Sequence, residues 1–555
     1  MNKKVCSFPI LFALLALVVG TCAVVFPASA QAAPTSTGSI TVSGTVASSY
    51  DAYQIFSANV VDGDSDAKIA TDLAWASAAV RDAALPVLHS AGMPNSQTTA
   101  QEAAEWLNTD SHLTSALSAQ LARSLQSSGA EPVALNAGTT AELPCGYWLI
   151  VADDDAIAQN EAGTAPIMAL VGGSAVTVKP KAAMPKVAKH VLEDSTAAWQ
   201  KAADATVADD LYWRLSATVP AGLTAYDTYT VQFVDTMSAG LDPSKVVASM
   251  RVYVAAGADG GFDAVSAGKD GRVGTEPAKG WTDITAQCAT KVAADGTFTV
   301  RTGDLIAALG GADAFTAGAR MVAVYNAPLN SACNHGIAKG NPNEVYLRYP
   351  RSPFADQSGD AGFTRTPSDD ACAYTWDLAL TKRGSDGDKP LAGAVLSITD
   401  DRGRTLAADG TWNAEGKATV TTGEDGRVTV SGVDSGKLEV RELKAPKGYT
   451  AFEGTRSVTV KAEGLDVDQV AAAKPKLTIT AESPLRADSA DGSMGSLEAS
   501  LINTPTGTPP SITTGGFMPS TGDMAMYAAA AAAVAGAALI VVALLVKRGG
   551  GSHKE

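Results

Sequence analysis

Clusters of positive charge are what this sequence has least of. Its 42 lysines and arginines are outnumbered by 58 aspartates and glutamates, for a formal net charge of −16, and no basic groove interrupts the excess. A surface of that sign stays soluble and repels nucleic acid and anionic lipid, so neither is expected as a partner. Histidine is scarce too: His89, His112, His190, His335 and His553 are scattered and form no HExxH pair. The six cysteines include no CxxC, which removes the ligand spacing of a zinc site. Residues 62–66 (DGDSD) begin like a calcium loop, but Ala67 and Leu73 stand where that loop needs glycine and glutamate, so a solvated acidic turn is expected. No GxSxG, no phosphate-binding P-loop and no GxGxxG between a strand and a helix occurs. No metal, no cofactor and no turnover of a substrate are therefore expected. The alternative of that class is a hydrolase built on acidic residues of the second domain.

Long apolar runs are missing from the interior and present at both ends. Lys3 and Lys4 precede an apolar stretch, 10–26, and then Ala28-Ser29-Ala30. That order is a signal peptide with a small-residue cleavage site, assigned to residues 1–30; Cys22 belongs to its apolar stretch. At the other end, residues 525–546 are 22 in a row without a charge, enough helix to cross a bilayer core of about 30 Å. Lys547 and Arg548 follow, placing the tail 547–555 on the cytoplasmic side. Taking away the +2 leader and the +1 segment beyond Thr521 leaves an exported chain of charge −19. Export permits disulfides. Cys145, Cys288, Cys333 and Cys372 allow three full pairings; Cys333 with Cys372 is the favoured one, and free buried thiols are the alternative.

About 490 residues between the two ends allow three or four domains. Residues 31–183 form the first. Ser39 to Ala47 alternates as a strand does, and 53–60 is a second strand. A helical insertion follows: Thr99 and Glu102 fit a capping box ahead of Ala103, Trp106 and Leu107, and Leu113, Leu117, Leu121 and Leu125 share one face. The domain closes on the apolar run 144–151 and on Val176-Thr177-Val178-Lys179-Pro180-Lys181. Residues 184–355 form the second, with strands near 187–191, 211–219, 228–234, 298–301, 319–325 and 344–349 and a glycine-rich loop, 257–280. This spacing suggests a β-sandwich. Residues 374–505 form the third, with strands near 375–382, 395–399, 438–442, 457–461, 477–481 and 497–502 and turns at Asp409-Gly410 and Asp425-Gly426. Residues 506–517, rich in Pro, Gly and Thr, are an extended linker. The fold class is thus mainly β: three tandem sandwiches, a helical insertion in the first, and a C-terminal membrane helix.

Three stretches carry a resemblance. Met518-Pro519-Ser520-Thr521-Gly522, directly before the apolar run, resembles the Leu-Pro-x-Thr-Gly sorting signal of Gram-positive surface proteins, with methionine in place of leucine. Residues 439–449 (EVRELKAPKGY) resemble the E-box of Gram-positive pilins through Glu442, Ala445-Pro446 and Gly448-Tyr449. Val176-x-Val178-x-Pro180-Lys181 resembles the end of the pilin motif, whose lysine is the attachment point. The chain as a whole resembles a major, or shaft, pilin of a sortase-assembled fimbria with Ig-like, Cna-B-type domains, and 518–555 is its cell-wall sorting signal.

That resemblance implies a structural and adhesive protein. A pilin sortase would cut after Thr521 and join it to Lys181 of another subunit, with Lys179 and Lys186 as neighbouring alternatives. Repetition gives an open head-to-tail fibre. Its partners would be other subunits, pilin and housekeeping sortases, peptidoglycan and a surface ligand of unknown identity. It would be secreted, held briefly in the membrane and then displayed on the wall. The alternatives are a minor or basal pilin, or a monomeric wall-anchored adhesin, which would not use Lys181. In the third domain the resemblance implies a self-made amide between Lys382 and Asn503, helped by Glu442. An ordinary lysine, with pKa near 10.4, is protonated and cannot attack; burial in an apolar core frees the amine. In the second domain, Lys189 and Asp235 match the lysine and helper positions, but Tyr349-Pro350-Arg351-Ser352-Pro353 lacks the family's asparagine. No Lys–Asn bond is expected there: Asn341 and Asn343, placed upstream in the preceding loop, are weak substitutes, and without the bond either an ion pair of Lys189 with Asp235 or a disulfide would serve as the staple.

Overall fold

The computed structural model describes residues 36–507 except 65–66, 110–111, 159, 181–183, 222, 258–260, 270, 337 and 492–494. The leader, Lys181, most of the linker, Met518, Pro519, Ser520, Thr521 and Gly522, the apolar run 525–546 and the tail lie outside the described residues. Among the described residues no helix is long and apolar enough to cross a membrane.

The first domain stacks three layers. Thr37–Val42 pairs antiparallel with Thr140–Pro144 and parallel with Val176–Val178. A second sheet runs in the order Lys68–Trp75, Ser49–Asp62, Gly146–Ala152, Ile167–Val171. Gly146–Ala152 is apolar throughout because both of its faces are covered. Trp148 and Ile150 face the small sheet with Ile40, Val42 and Val178, while Leu149 and Val151 face the helices. Three helices form that outer layer, Ala78–Ser90, Ala100–Asn108 and Ser115–Ser127. The Thr99–Glu102 capping box is present in full. Leu117, Leu121 and Leu125 are buried as their spacing predicts, and Leu113 lies just ahead of the Thr114 cap.

The middle domain is a sandwich of two largely antiparallel sheets. One runs Ala198–Gln200, Val187–Glu193, Tyr212–Thr218, Arg320–Asn326, Arg251–Ala255, Thr282–Asp283. The other runs Ala202–Asp204, Asp369–Tyr374, Asn341–Pro350, Gln232–Met237, Thr297–Arg301, Ala289–Val292. Val191, Trp213, Phe233, Phe298, Tyr325, Val345 and Leu347 fill the space between them. Two expectations need correction. Asp369–Tyr374 pairs with Asn341–Pro350 inside this domain, so the domain runs on to Tyr374 and does not stop at 355. Asn341 and Asn343 are strand residues, fully buried, not loop residues.

The third domain is a second sandwich. Trp376–Gly384 lies between Arg427–Val433, antiparallel, and Ser496–Pro505, parallel, so the first and last strands are neighbours. Val395–Thr399, Gly436–Lys444, Thr455–Glu463 and Lys476–Ala481 form the facing sheet. Trp376, Leu378, Leu380, Leu396, Val440, Val458, Leu497 and Leu501 make the core.

Candidate functional site: two buried lysine centres

Alternation along the strands explains how polar residues reach the core of the third domain. Side chains two apart share a face. Leu378, Leu380 and Lys382 therefore point inward together, as do Leu438, Val440 and Glu442, and Leu497, Ala499, Leu501 and Asn503. Three apolar rows each end in one polar residue, at the same end of the sandwich. The parallel register sets Lys382 opposite Leu501 and Gly384 opposite Asn503, and Glu442 reaches across from the other sheet.

The three side chains form one hydrogen-bonded set. Lys382 Nζ donates to Asn503 Oδ1 and lies 3.2 Å from Glu442 Oε1. Asn503 Nδ2 donates to the same Oε1 at 2.9 Å. The Phe452 amide donates to Glu442 Oε2 at 3.1 Å, and the Phe452 ring lies 5.9 Å from Nζ. Lys382 is 1% exposed. Desolvation lowers its pKa to about 8, against the opposing pull of Glu442. The arrangement can transfer an acyl group once. Glu442 would take a proton from the ammonium, the amine would attack Asn503 Cγ, and the carboxyl would pass its proton to Nδ2; as the Nζ–Cγ bond forms and the Cγ–Nδ2 bond breaks, ammonia would leave and the regenerated carboxylate would take the second Nζ proton, giving a neutral amide with one N–H.

The middle domain repeats the theme with different parts. Lys189, 0% exposed, sits on Val187–Glu193 two residues before Val191. Its Nζ donates to Asp235 Oδ2 and, at 2.9 Å, to Tyr325 Oη. Tyr325 donates to the same carboxylate oxygen at 3.1 Å and accepts from Asn343 Nδ2 at 2.8 Å. The amine and the carboxamide thus share one hydroxyl. The Trp213 and Tyr325 rings lie 5.5 and 5.4 Å from Nζ. Desolvation lowers Lys189 to about 8 and raises Asp235 to about 6. Among the described residues, Asp235 Oδ1 and Asn343 Oδ1 are buried without a hydrogen-bond partner. Such orphans are uncommon in native cores, and here both belong to the groups a condensation would consume or use.

Sequence reasoning named Lys382, Glu442, Asn503, Lys189 and Asp235, and the structure brings them into these two centres. It missed Tyr325 and held Asn343 only as a weak substitute for the missing asparagine. The signal for Asn343 was present: Asn341, Asn343, Val345 and Leu347 alternate on one face. The favoured disulfide is corrected. Cys333 and Cys372 are free, as are Cys145 and Cys288. The Cys372 thiol is buried beside Tyr374 and beneath Gly340, whereas Cys333 lies with His335.

Residues 377–474 match the family described as SpaA, prealbumin-like fold domain. Over 143 residues the chain is 30% identical to the trypsin-resistant surface T6 protein of Streptococcus pyogenes serotype M6, a match spanning 24% of each chain. The chain therefore covers about a quarter of that relative's length. Among solved structures, the T6 backbone pilin of serotype M6 Streptococcus pyogenes shares 17% identity, with 85% of this chain and 98% of that one covered and a TM-score of 0.45. The major pilin SpaD of Corynebacterium diphtheriae shares 15%, with the same coverage and a TM-score of 0.40. The similarity to the SpaA prealbumin-like fold domain thus falls within the third domain, and over 143 residues the chain is similar to the streptococcal T6 surface protein.

Proposed function

We propose that this protein is the shaft subunit of a covalent surface fimbria, a structural component and not an enzyme. A sortase joins Thr521 of one subunit to Lys181 of the next, and a final transfer links the fibre to peptidoglycan. The leader and the sorting signal take the chain through and briefly into the membrane. Each subunit also staples itself. Lys382 condenses with Asn503 under the action of Glu442, and Lys189 condenses with Asn343 under the action of Asp235 and Tyr325. The second bond replaces the expectation that the middle domain holds only an ion pair.

The observation that carries this reading is the contact of a fully buried lysine with a carboxamide and a carboxylate. A buried cation is costly to keep, and an amide removes the charge. The test is the intact mass of the purified chain under reducing conditions. Two ammonias are expected to be missing, with branched peptides Lys382–Asn503 and Lys189–Asn343. Glu442→Ala and Asp235→Ala should each restore one ammonia. A full, unshortened mass in the wild-type chain would remove the self-stapling mechanism.

A further inference from the structure

The outer face of the second sheet of the middle domain carries a row of arginines. Arg301, Gln232, Arg348 and Arg365 stand in register across neighbouring strands. Directly paired residues share a face, and the adjoining Val300, Phe233 and Leu347 fill the core, so the row points outward. Arg348 and Arg365 are thus like charges set directly opposite each other, an arrangement that costs stability until an anion lies between them. Aromatic rings carry the guanidinium groups. Arg301 and Arg348 lie 5.1 and 5.8 Å from the Phe363 ring, and Arg365 lies 5.1 Å from the Tyr346 ring.

The partners of these arginines leave positive charge over. Arg301 donates to the Gln357 carbonyl. Arg348 meets Asp360 at 2.9 Å, but that carboxylate is 79% exposed, and an ion pair so open to solvent is weak. Among the described residues Arg365 has neither a hydrogen bond nor an ion pair, although the chain has a net charge of −16. The acid on the same strand, Glu344, stands opposite Asp370, away from the row.

The first domain turns this face into a cleft. Ile157 and Ala158 form a wall across from Tyr346, Arg348, Arg351 and Arg365, enclosing about 560 Å³, within the size range of small-ligand sites. The wall is fixed in place. The Gly163 amide donates to the Arg351 carbonyl at 2.7 Å, the Asn160 amide to Thr364 Oγ1 at 3.3 Å, and Arg351 Nη1 to the Asp154 carbonyl at 3.2 Å.

We propose that this cleft binds saccharides that carry a carboxylate. A guanidinium fork matches a carboxylate through two parallel N–H···O bonds, and Arg348 and Arg365 offer two forks side by side. The Tyr346 and Thr364 side chains line the same space, and their hydroxyls can serve the ring hydroxyls of a sugar, which an acidic protein side chain does not have. Nucleic acid does not fit, because the overall negative charge repels a long polyanion. The site lies within one subunit and does not depend on fibre assembly.

The test is calorimetric titration of the purified native chain with sialyllactose and with a hyaluronan tetrasaccharide, beside lactose and chitotetraose, which lack the carboxylate. At least one acidic sugar should bind, and its neutral counterpart should bind at least about tenfold more weakly. Arg365→Ala should weaken binding by about tenfold or more, and Arg365→Lys, which keeps the charge without the fork, should restore only part of it. Arg365 is exposed, so neither change threatens the fold. Arg486→Ala, on the surface of the third domain, should leave binding unchanged. The proposal is overturned if neither acidic sugar binds, if the neutral sugars bind equally well, or if Arg365→Ala binds as the wild type does. A tetraglutamate peptide that binds more tightly than either acidic sugar would reassign the cleft to an acidic protein segment and overturn it as well.

Discussion

At the scale of single residues, each lysine centre shares protons between an amine and a carboxyl, and the proposed bond would depend on how they are shared. In the middle domain burial draws the two titrations together without reversing their order, Asp235 raised to about 6 and Lys189 lowered to about 8. The species that reacts is a neutral amine beside a protonated carboxyl. It carries as many protons as the ion pair, so it is present as a constant fraction wherever the ion pair dominates. Below pH 6 the site gains a proton and loses its nucleophile. Above pH 8 it loses a proton and with it the acid that must protonate the departing ammonia. The rate of Lys189–Asn343 bond formation is therefore expected to be level between about pH 6 and 8 and to fall about tenfold per unit on either side. Chain recovered unfolded in urea, diluted into buffers from pH 5 to 9 and quenched for mass analysis, checks this. A rate that keeps climbing through pH 9 would show an ordinary amine at work and no role for Asp235. Most of these residues were legible in the sequence because a family pattern marked them. Asn343 was marked by no such pattern: its alternation with Val345 and Leu347 was there to read, but Asn341-Pro342-Asn343 reads as a turn and masks it. Pro342 is tolerated in the strand because it lies beyond Met237–Asn343, the last pair with Gln232–Met237.

At the scale of elements, the third domain depends on a pairing between its two ends. Trp376–Gly384 and Ser496–Pro505 run parallel, and Lys382 and Asn503 are 121 residues apart in sequence. A covalent tie across a loop of that length removes about 5 kcal/mol of chain entropy from the unfolded state, by the reasoning that applies to disulfides. Asn503→Ala should therefore lower the melting temperature of the third domain by on the order of 10–20 °C, while Asn343→Ala leaves that transition in place and lowers that of the middle domain. Calorimetry on the two variants separates them, and an unchanged third-domain transition in Asn503→Ala would mean that the amide is not there to lose. The strands of this clamp could be read from alternation alone, as could the helix capped by Thr99. Other elements could not. Leu485–Asp491 (LRADSAD) lies at the outside of its sheet with mostly exposed side chains, so no apolar rhythm announces it. Phe363–Arg365 and Asp369–Tyr374 gave no domain signal because what assigns them to the middle sandwich is pairing with Asn341–Pro350, a long-range fact.

At the scale of the molecule, the two proposed amides would acquire meaning from where the chain is pulled. The Ser43 amide holds the Val178 carbonyl at 2.8 Å at the end of the first domain, and the Thr218 amide holds the Lys186 carbonyl at 2.9 Å at the start of the second. Lys181 lies between these two fixed points in the sequence. A fibre joined from Thr521 to Lys181 would load the chain only beyond that point, leaving the first domain, which has no lysine centre of this kind among its described residues, outside the covalent path. From Lys181 the load would run to Lys189, cross the amide to Asn343, pass the domain seam to Lys382, cross to Asn503 and leave through the linker. The bulk of both sandwiches would be bypassed, so neither would need to resist force through hydrogen bonds alone. This economy exists only if attachment falls between the first and middle domains. Attachment through Lys179 would load the chain only two residues earlier, but that residue directly follows the paired strand Val176–Val178, where a sortase would have to reach a lysine beside a sheet edge. Lys186 has its backbone engaged in the middle domain on both sides, its amide donating to Thr218 Oγ1 at 2.7 Å. Lys181→Ala is therefore expected to collapse the high-mass ladder of wall extracts to monomer, whereas Lys179→Ala and Lys186→Ala retain it. A ladder that persists in Lys181→Ala and vanishes in one of the other two would move the joint, and a ladder absent from the wild type would leave a stapled monomer on the wall in place of a fibre.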